Sequence, residues 1–299
     1  MRLNTAHTFL ALLACFAGFA YGDTDAQGGT EARKDAPASS SIEVCIWVGE
    51  KDGATESQYV ANLGSKKLDS ETSRSIPRGQ ASDCSPSEKA TKGQNADAYA
   101  RLIGQIRIQQ ASGQLDQNLA GAIQWIQKSA SWGDSPTKSV VSSPDGAYVV
   151  LKPRWKSLLL VNVATLETTI LAKAHPYLET PVAWSLDSRF VAFAPPDTDC
   201  LQVFSVDRRV VVSTITGTGS WVHSLSWSPD TKHIASVEWR NRRMNKTPFG
   251  LIGAFAGHPE FRNDAILSVY QTSSSQHISY VLERGISEMS SSNIVMQWK

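Results

Sequence analysis

Short apolar runs separated by turn residues fill the second half of the chain, and the pattern recurs. KSVVSSPDGAYVVL starts at Lys138, PVAWSLDSRFVAF at Pro181 and SLSWSPDTKHIASV at Ser224. Aligned, they place Ser143, Ser185 and Ser228 in one column, 42 and 43 residues apart, with Asp145, Asp187 and Asp230 two positions further on. An apolar run follows each: YVVL, FVAF, HIASV. The second half of each unit repeats too, since LLLVNV (158–163) lies 43 residues before LQVFSV (201–206). Each ends in a tight turn and a β-rich strand, TTIL or VVVSTI. Three units fit, at roughly 138–177, 178–220 and 221–285, each with four short strands.

A sheet that is apolar on both faces needs a neighbour on each, so this rhythm predicts stacked, mutually buried sheets. A period of about 40–45 residues with four strands per unit is that of β-propeller blades. Ser-Pro-Asp-Gly suits the turn between the first two strands. Proline sets the first torsion, aspartate bonds back to the backbone and glycine takes the positive φ. Trp184 and Trp227, just before two of these turns, can fill the space between neighbouring blades. NIVMQW (293–298) reads as the first strand of a fourth unit, with Trp298 in the Trp184 column. Closed propellers have typically about 4–8 blades, and three and a fraction fall short. Three completions compete: strands from the N-terminal region, an open arc, or strands from a partner or a second copy. An arc or incomplete ring is the favoured expectation, and its unpaired edges would invite a partner.

The N-terminal half reads differently. Residues 23–41 are small and polar and predict a flexible spacer. IEVCIWV (42–48) and SQYVANL (57–63) alternate as strands around the Asp-Gly signal of EKDGATE. From Gly64 to Gln94 the chain is polar, so 42–94 reads as a strand hairpin and a polar loop. Two helical patterns follow. Ala96–Gln110 sets Tyr99, Leu102, Ile103 and Ile106 on one face, and Asn118–Trp132 sets Leu119, Ala122, Ile123, Ile126 and Ala130 on another. Gly113 is a natural stop between them. The predicted organisation is a leader at 1–22, a spacer at 23–41, the strand hairpin and loop at 42–94, a helical hairpin at 95–135 and blades at 136–299. The fold class expected is mainly β with a small α part, an incomplete or small propeller-like array plus an N-terminal helical hairpin.

Two resemblances sharpen this. Residues 96–133 resemble one SEL-one-like repeat, a relative of the tetratricopeptide repeat, through Gly104, Ala122, Trp125, Lys128, Ala130 and Gly133; Ser129 replaces an alanine and Ile103-Gly104 stands for Leu-Gly. Such hairpins stack, so a single copy must pack on something else. Residues 138–298 resemble the WD-repeat-like propellers of the TolB type of bacterial periplasms, whose blades carry Trp-Ser-Pro-Asp-Gly. Trp227-Ser228-Pro229-Asp230 matches closely, Leu186 replaces the proline of the second unit, and Ser142 replaces the tryptophan of the first. The resemblance implies a fold; function differs widely among propellers.

MRLNTAHTFLALLACFAGFAYGD changes the picture of compartment. Arg2 is its only charge before Asp23, and an apolar run ends at small residues. It reads as a secretory signal, too short to span a bilayer. Leu12-Leu13-Ala14-Cys15 also resembles a lipobox, so the periplasmic or secreted protein expected here touches membrane only if Cys15 is lipidated. In an oxidising compartment Cys45 and Cys84, from one region, are the expected disulfide. Cys200, in the apolar DCLQVFSV, reads as a small buried hydrophobe.

Charge and motifs narrow the function. A net charge of +1 over 299 residues gives no global field for nucleic acid. RNRRMNK, with Arg240, Arg242, Arg243 and Lys246, is the one strong charge run. It is either an electropositive loop for an anionic partner or a solvated loop. The neighbouring GLIGAFAG (250–257) is either a sticky patch or a buried hairpin. The six histidines show no metal spacing, and no Cys-x-x-Cys, nucleophile elbow, phosphate loop or dinucleotide fingerprint appears. An aspartate recurring in every blade is a turn element rather than a catalytic acid. The expected function is a non-catalytic exported scaffold with a protein partner, no cofactor and no metal, capable of self-association. The alternatives are a cell-envelope polysaccharide- or surface-binding module and a remnant of a propeller-containing serine peptidase.

Overall fold

The computed structural model describes residues 41–50, 53–77, 86–110, 115–133, 135–153, 156–173, 180–195, 198–216, 218, 221–242, 262–274, 277–286 and 292–299. The leader, the spacer, Gly113 and the 250–257 segment lie outside them. The protein is mainly β and propeller-like, with four four-stranded sheets and two helices among the described residues. Its described residues divide into two compact units, one within 86–215 and the other combining 41–77 with 216–299.

The first unit begins with helices α1 (Pro86–Gln110) and α2 (Gln117–Ala130). Asp116 starts α2 as its N-cap, its Oδ1 accepting from the amides of Asn118 and Leu119 at 3.0 Å each. A short 3-10 turn leads into blade I, β4 (Val140–Ser142), β5 (Tyr148–Leu151), β6 (Leu158–Asn162) and β7 (Thr168–Ala172), paired in that order. Blade II follows as β8 (Val182–Trp184), β9 (Phe190–Phe193), β10 (Cys200–Ser205) and β11 (Val210–Thr216).

Alternation assigns the two faces of blade I. Val150, Leu158 and Leu160 meet Val191, Phe193 and Phe204 of blade II. Val149, Leu151, Leu159 and Val161 point the other way and meet Ala98, Leu102, Ile106, Leu119, Ile123 and Ile126 of the helices. The helical hairpin therefore covers the face where another sheet would stack. The helical-repeat resemblance is not supported. The hairpin packs on a sheet, and Gly104 is exposed with no atom within 4 Å of where a Cβ would stand, so it enables no close helix approach.

The second unit holds blade III, β12 (Trp221–Trp227), β13 (His233–Arg242), β14 (Arg262–Gln271) and β15 (His277–Ile286). Its other sheet is built from both ends of the described chain, in the order β16-β1-β2-β3. Here β1 is Ser41–Glu50, β2 Gly53–Asn62, β3 Lys67–Pro77 and β16 Ser292–Trp298. The terminal segment is thus no unpaired stub: Ile42 stands opposite Trp298 and Val48 opposite Ser292 in an antiparallel register. N-terminal strands complete blade IV. One face of it, Ile42, Val44, Ile46, Tyr59 and Ala61, buries against Ala235, Val237, Trp239, Leu267 and Val269 of blade III.

Two elements depart from the sequence reading. β3 lies where the pattern suggested a polar loop. It is the last strand of its sheet, Leu68 packs on the apolar layer, and its sequence carries no alternation. Helix α1 starts at Pro86, ten residues before the apolar spacing begins, because that first stretch has no apolar stripe to reveal it.

Candidate interaction surface

The recurrent serine–aspartate pairs build the same turn three times. Ser143 Oγ, Ser185 Oγ and Ser228 Oγ each donate to the aspartate two residues on at 2.6 Å. Each also accepts from the amide five residues on, Tyr148, Phe190 and His233, at 2.9–3.0 Å. Asp145, Asp187 and Asp230 accept in turn from the amides of Ala147, Arg189 and Lys232 at 3.0–3.2 Å. The residue between takes positive φ: Gly146 at 70°, Ser188 at 60° and Thr231 at 59°. The serines are fully buried. The hydroxyls and carboxylates thus bond to one another and to the backbone of their own turns.

The turn in blade I is also the docking point of α1. Gln94 Nε2 donates to the carbonyls of Ser143 and Pro144 at 2.9 and 3.3 Å, and Ser142 N donates to Asn95 Oδ1 at 3.0 Å. Farther along α1, Gln109 Nε2 donates to Thr165 O at 3.4 Å.

Blades I and II are stitched by polar contacts that recur at the blade spacing. Trp184 Nε1 donates to Val141 O at 3.1 Å, and Asp145 N donates to Ser188 Oγ at 3.1 Å. At the outer turns Leu166 and Arg209 share positive φ, 58° and 57°. Arg209 makes a bidentate pair with Glu167, its Nη2 standing 2.6 Å from Oε2. That pair holds the Glu167 carboxyl below its ordinary range. Burial works to raise the Asp145 carboxyl, but bonds from Ser143, Ala147, Ser188 and its own amide hold it below that range.

Blade III hides a polar cluster that the sequence pattern does not flag. Glu238 is fully buried; Ser236 Oγ donates to it at 2.6 Å and Tyr270 Oη donates to the same oxygen. Burial, then the Glu238 charge, push the Tyr270 phenol far above its usual range. A polar residue in every second position of β13 and β14, Ser236, Glu238, Ser268 and Tyr270, is the only sequence signal for it.

The remaining sequence candidates fall as follows. Arg240 and Arg242 lie on the last turn-ward backbone of β13, with side chains outside the described set; Arg243 and Lys246 lie wholly outside it. Cys45 is disulfide-bonded, and Cys84 lies outside the described residues. Cys200 is fully buried, as its reading as a small buried hydrophobe expected, but it is disulfide-bonded. The apolar strand pattern around it hid an oxidised cysteine, because buried thiols and half-cystines share the same surroundings. Among the described residues no three histidine, cysteine or acidic side chains cluster as a metal site.

Exposed apolar side chains stand on the helices and turns, with Ile108, Trp132 and Leu186, and on outer strands, with Ile170, Val210, Val212 and Val281. Ile170 of β7 and Val210 and Val212 of β11 are 52 %, 48 % and 42 % exposed. Both strands are the last in their sheets. Ile170, Val210 and Val212 make the outer strands of the first unit one candidate surface for recognition.

No family model and no curated protein matches this chain. Solved structures do show likeness in part. Kuenenia stuttgartiensis hydrazine synthase is 17 % identical, over 49 % of this chain and 36 % of its own, with a TM-score of 0.35. The β-propeller domain of Myceliophteria thermophila Cps50 (Swd1) is 11 % identical over 48 % and 37 %, TM-score 0.31. The WD40 repeats of RRP9 are 13 % identical over 48 % and 39 %, TM-score 0.34. The matched region thus spans between a third and two fifths of the length of these chains.

Proposed function

We propose that the protein is an exported, non-catalytic scaffold that recognises other proteins through its blade edges and turns. The observation that carries this reading is the commitment of the recurrent polar residues. Ser143, Asp145, Ser185, Asp187, Ser228 and Asp230 are bound within their own turns, while apolar side chains stand exposed on outer strands. Chemistry needs unspent acids, bases or nucleophiles in a shared site; recognition needs a rigid frame with exposed apolar anchors. The frame is rigid because both faces of blade I are buried. The export part of the proposal draws on the N-terminal leader pattern and on disulfides at Cys45 and Cys200, which persist in oxidising compartments.

The test is a binding experiment with bacterial envelope extract under oxidising conditions. A stoichiometric complex with a defined protein, isolated by size exclusion and weakened by a lysine placed on an outer strand, is the expected result. Retention on purified cell-wall polymer with no protein partner would refute the scaffold reading, as would turnover in a hydrolase screen abolished by a single substitution.

A further inference from the structure

The face of blade I under the helices corresponds, column for column, to the face that blade II turns to blade I. Val149, Leu151, Val161 and Val163 meet the hairpin. Val191, Phe193, Phe204 and Val206, 42 or 43 residues later in the chain, meet blade I. The hairpin therefore stands where a preceding blade would stand.

Two positions of the turn column separate these faces. Blade II reaches the blade before it with Trp184, whose Nε1 donates to Val141 O at 3.1 Å, and with Ser188, whose Oγ accepts from Asp145 N at 3.1 Å. Blade III carries Trp227 and Thr231 in the same columns. Blade I carries Ser142 and Gly146 there, so it has no indole at the first position and no hydroxyl at the second. Helix α1 supplies the groups that meet this turn. Asn95 Oδ1 accepts from Ser142 N at 3.0 Å, and Gln94 Nε2 donates to Ser143 O at 2.9 Å. The Arg101 guanidinium lies against Gly146, its Nη2 only 2.5 Å from where a Cβ would stand. A side chain at position 146 would displace that guanidinium. Ser142 is buried two residues from Val140, which packs on the hairpin, so an indole at position 142 would be driven into the helices.

We infer that the hairpin is a cap fitted into the place of a preceding blade, and that Ser142 and Gly146 are the residues that suit blade I to helices instead of another sheet. Blade II, with Trp184 and Ser188, makes the opposite choice and takes a sheet. The first end of the array is thereby closed. A blade-like sheet of another chain finds this face occupied, and finds on it neither the indole nor the hydroxyl with which blade II holds its neighbour.

Hydrogen exchange of the full chain, read separately in α1 and in β8–β11, tests the fit. Asn95→Ala leaves the buried Ser142 amide without its acceptor and should lower the protection of α1 about tenfold. This reading requires no change in the turn itself. Arg101→Ala should lower α1 protection about fivefold in the wild type, the effect of losing roughly one hydrogen bond. In the Gly146→Ser background the same Arg101→Ala change should have no effect, because the contact is already gone; strain in the turn is common to both members of that pair and cancels. Protection in β8–β11 should be unchanged by Asn95→Ala and by Arg101→Ala. An equal loss from Arg101→Ala in both backgrounds, no loss in α1 from Asn95→Ala, or a loss spread equally over α1 and β8–β11 would each overturn the inference.

Discussion

The two units bury the apolar faces of their four-stranded sheets by different routes. The first does it in sequence order: hairpin, blade I, blade II, each packing on the element before it. The second does it across the whole chain, with residues 41–62 and 292–298 forming one sheet and blade III lying against it. Polar contacts differ too. Blades I and II are tied by Trp184 to Val141, Ser188 to Asp145 and Arg209 to Glu167. Blades III and IV meet through an apolar layer, with Tyr280 Oη donating to Asn62 O at 3.1 Å. The lesson is that a periodic sequence can be completed either by a local cap or by borrowing strands from far away.

The sharpest way to break this comparison is to remove the borrowed strand. Deleting residues 292–299 exposes one edge of β1 and uncovers part of the layer lined by Ile42, Val44 and Ile46. The second unit is expected to lose its cooperative unfolding transition, while helices α1 and α2 keep their protection in hydrogen exchange. A deletion that melts both units together would erase the distinction. The local cap is tested by Leu102→Ala. Leu102 is fully buried between α1 and blade I, and its truncation should cost about 2–5 kcal/mol, read by urea unfolding. A cost under about 1 kcal/mol would mean that the hairpin is only loosely laid on the sheet.

The turn column sharpens the comparison at smaller cost. Gly146→Ala forces a Cβ onto φ of 70° and against the Arg101 guanidinium. That guanidinium ends a flexible side chain and can swing aside, so the backbone sets the penalty, about 1–2 kcal/mol. Thr231 occupies the same column at φ of 59° with a β-branched side chain. Thr231→Gly should therefore stabilise by about 0.5–1 kcal/mol, the relief of strain exceeding the entropy gained by the unfolded chain. Ser188→Gly should be nearly neutral, because relief there is offset by loss of the bond from Asp145 N. Thermal midpoints of the three variants, measured together, check the order.

The same contrast explains what was legible in the sequence. The column of Ser143, Ser185 and Ser228 exposed the three consecutive blades, because each turn is made from residues within six positions of one another. The helices were visible from Leu102 and Leu119 recurring at helical spacing. The fourth blade was visible only as two separate fragments. Nothing local in IEVCIWV or NIVMQW records that Val44 will stand opposite Met296. β3 was hidden because an outer strand with charged residues looks like a loop. The candidate surface was hidden for a related reason: VVVSTI reads as a strand, but its position at the edge of the sheet is a property of the order β11-β10-β9-β8.

The smallest effect expected is electrostatic and separates Asp145 from the purely geometric part of its turn. Its carboxyl is held below the ordinary range by Ser143, Ala147 and Ser188, against the opposing pull of burial. A carboxyl depressed on folding stabilises the protein above its unfolded pKa, about 3.9, and that contribution is lost as pH falls through the lower folded value. The wild type should therefore lose part of its stability below about pH 4 through this group. Asp145→Asn keeps an acceptor for Ser143 and Ala147 but cannot titrate. It should be modestly less stable than the wild type at neutral pH, and the gap should narrow as the pH is lowered from about 4 toward 2. Unfolding midpoints in urea across that range give the comparison directly. A gap that stays constant with pH would mean that the carboxylate contributes only shape to the turn.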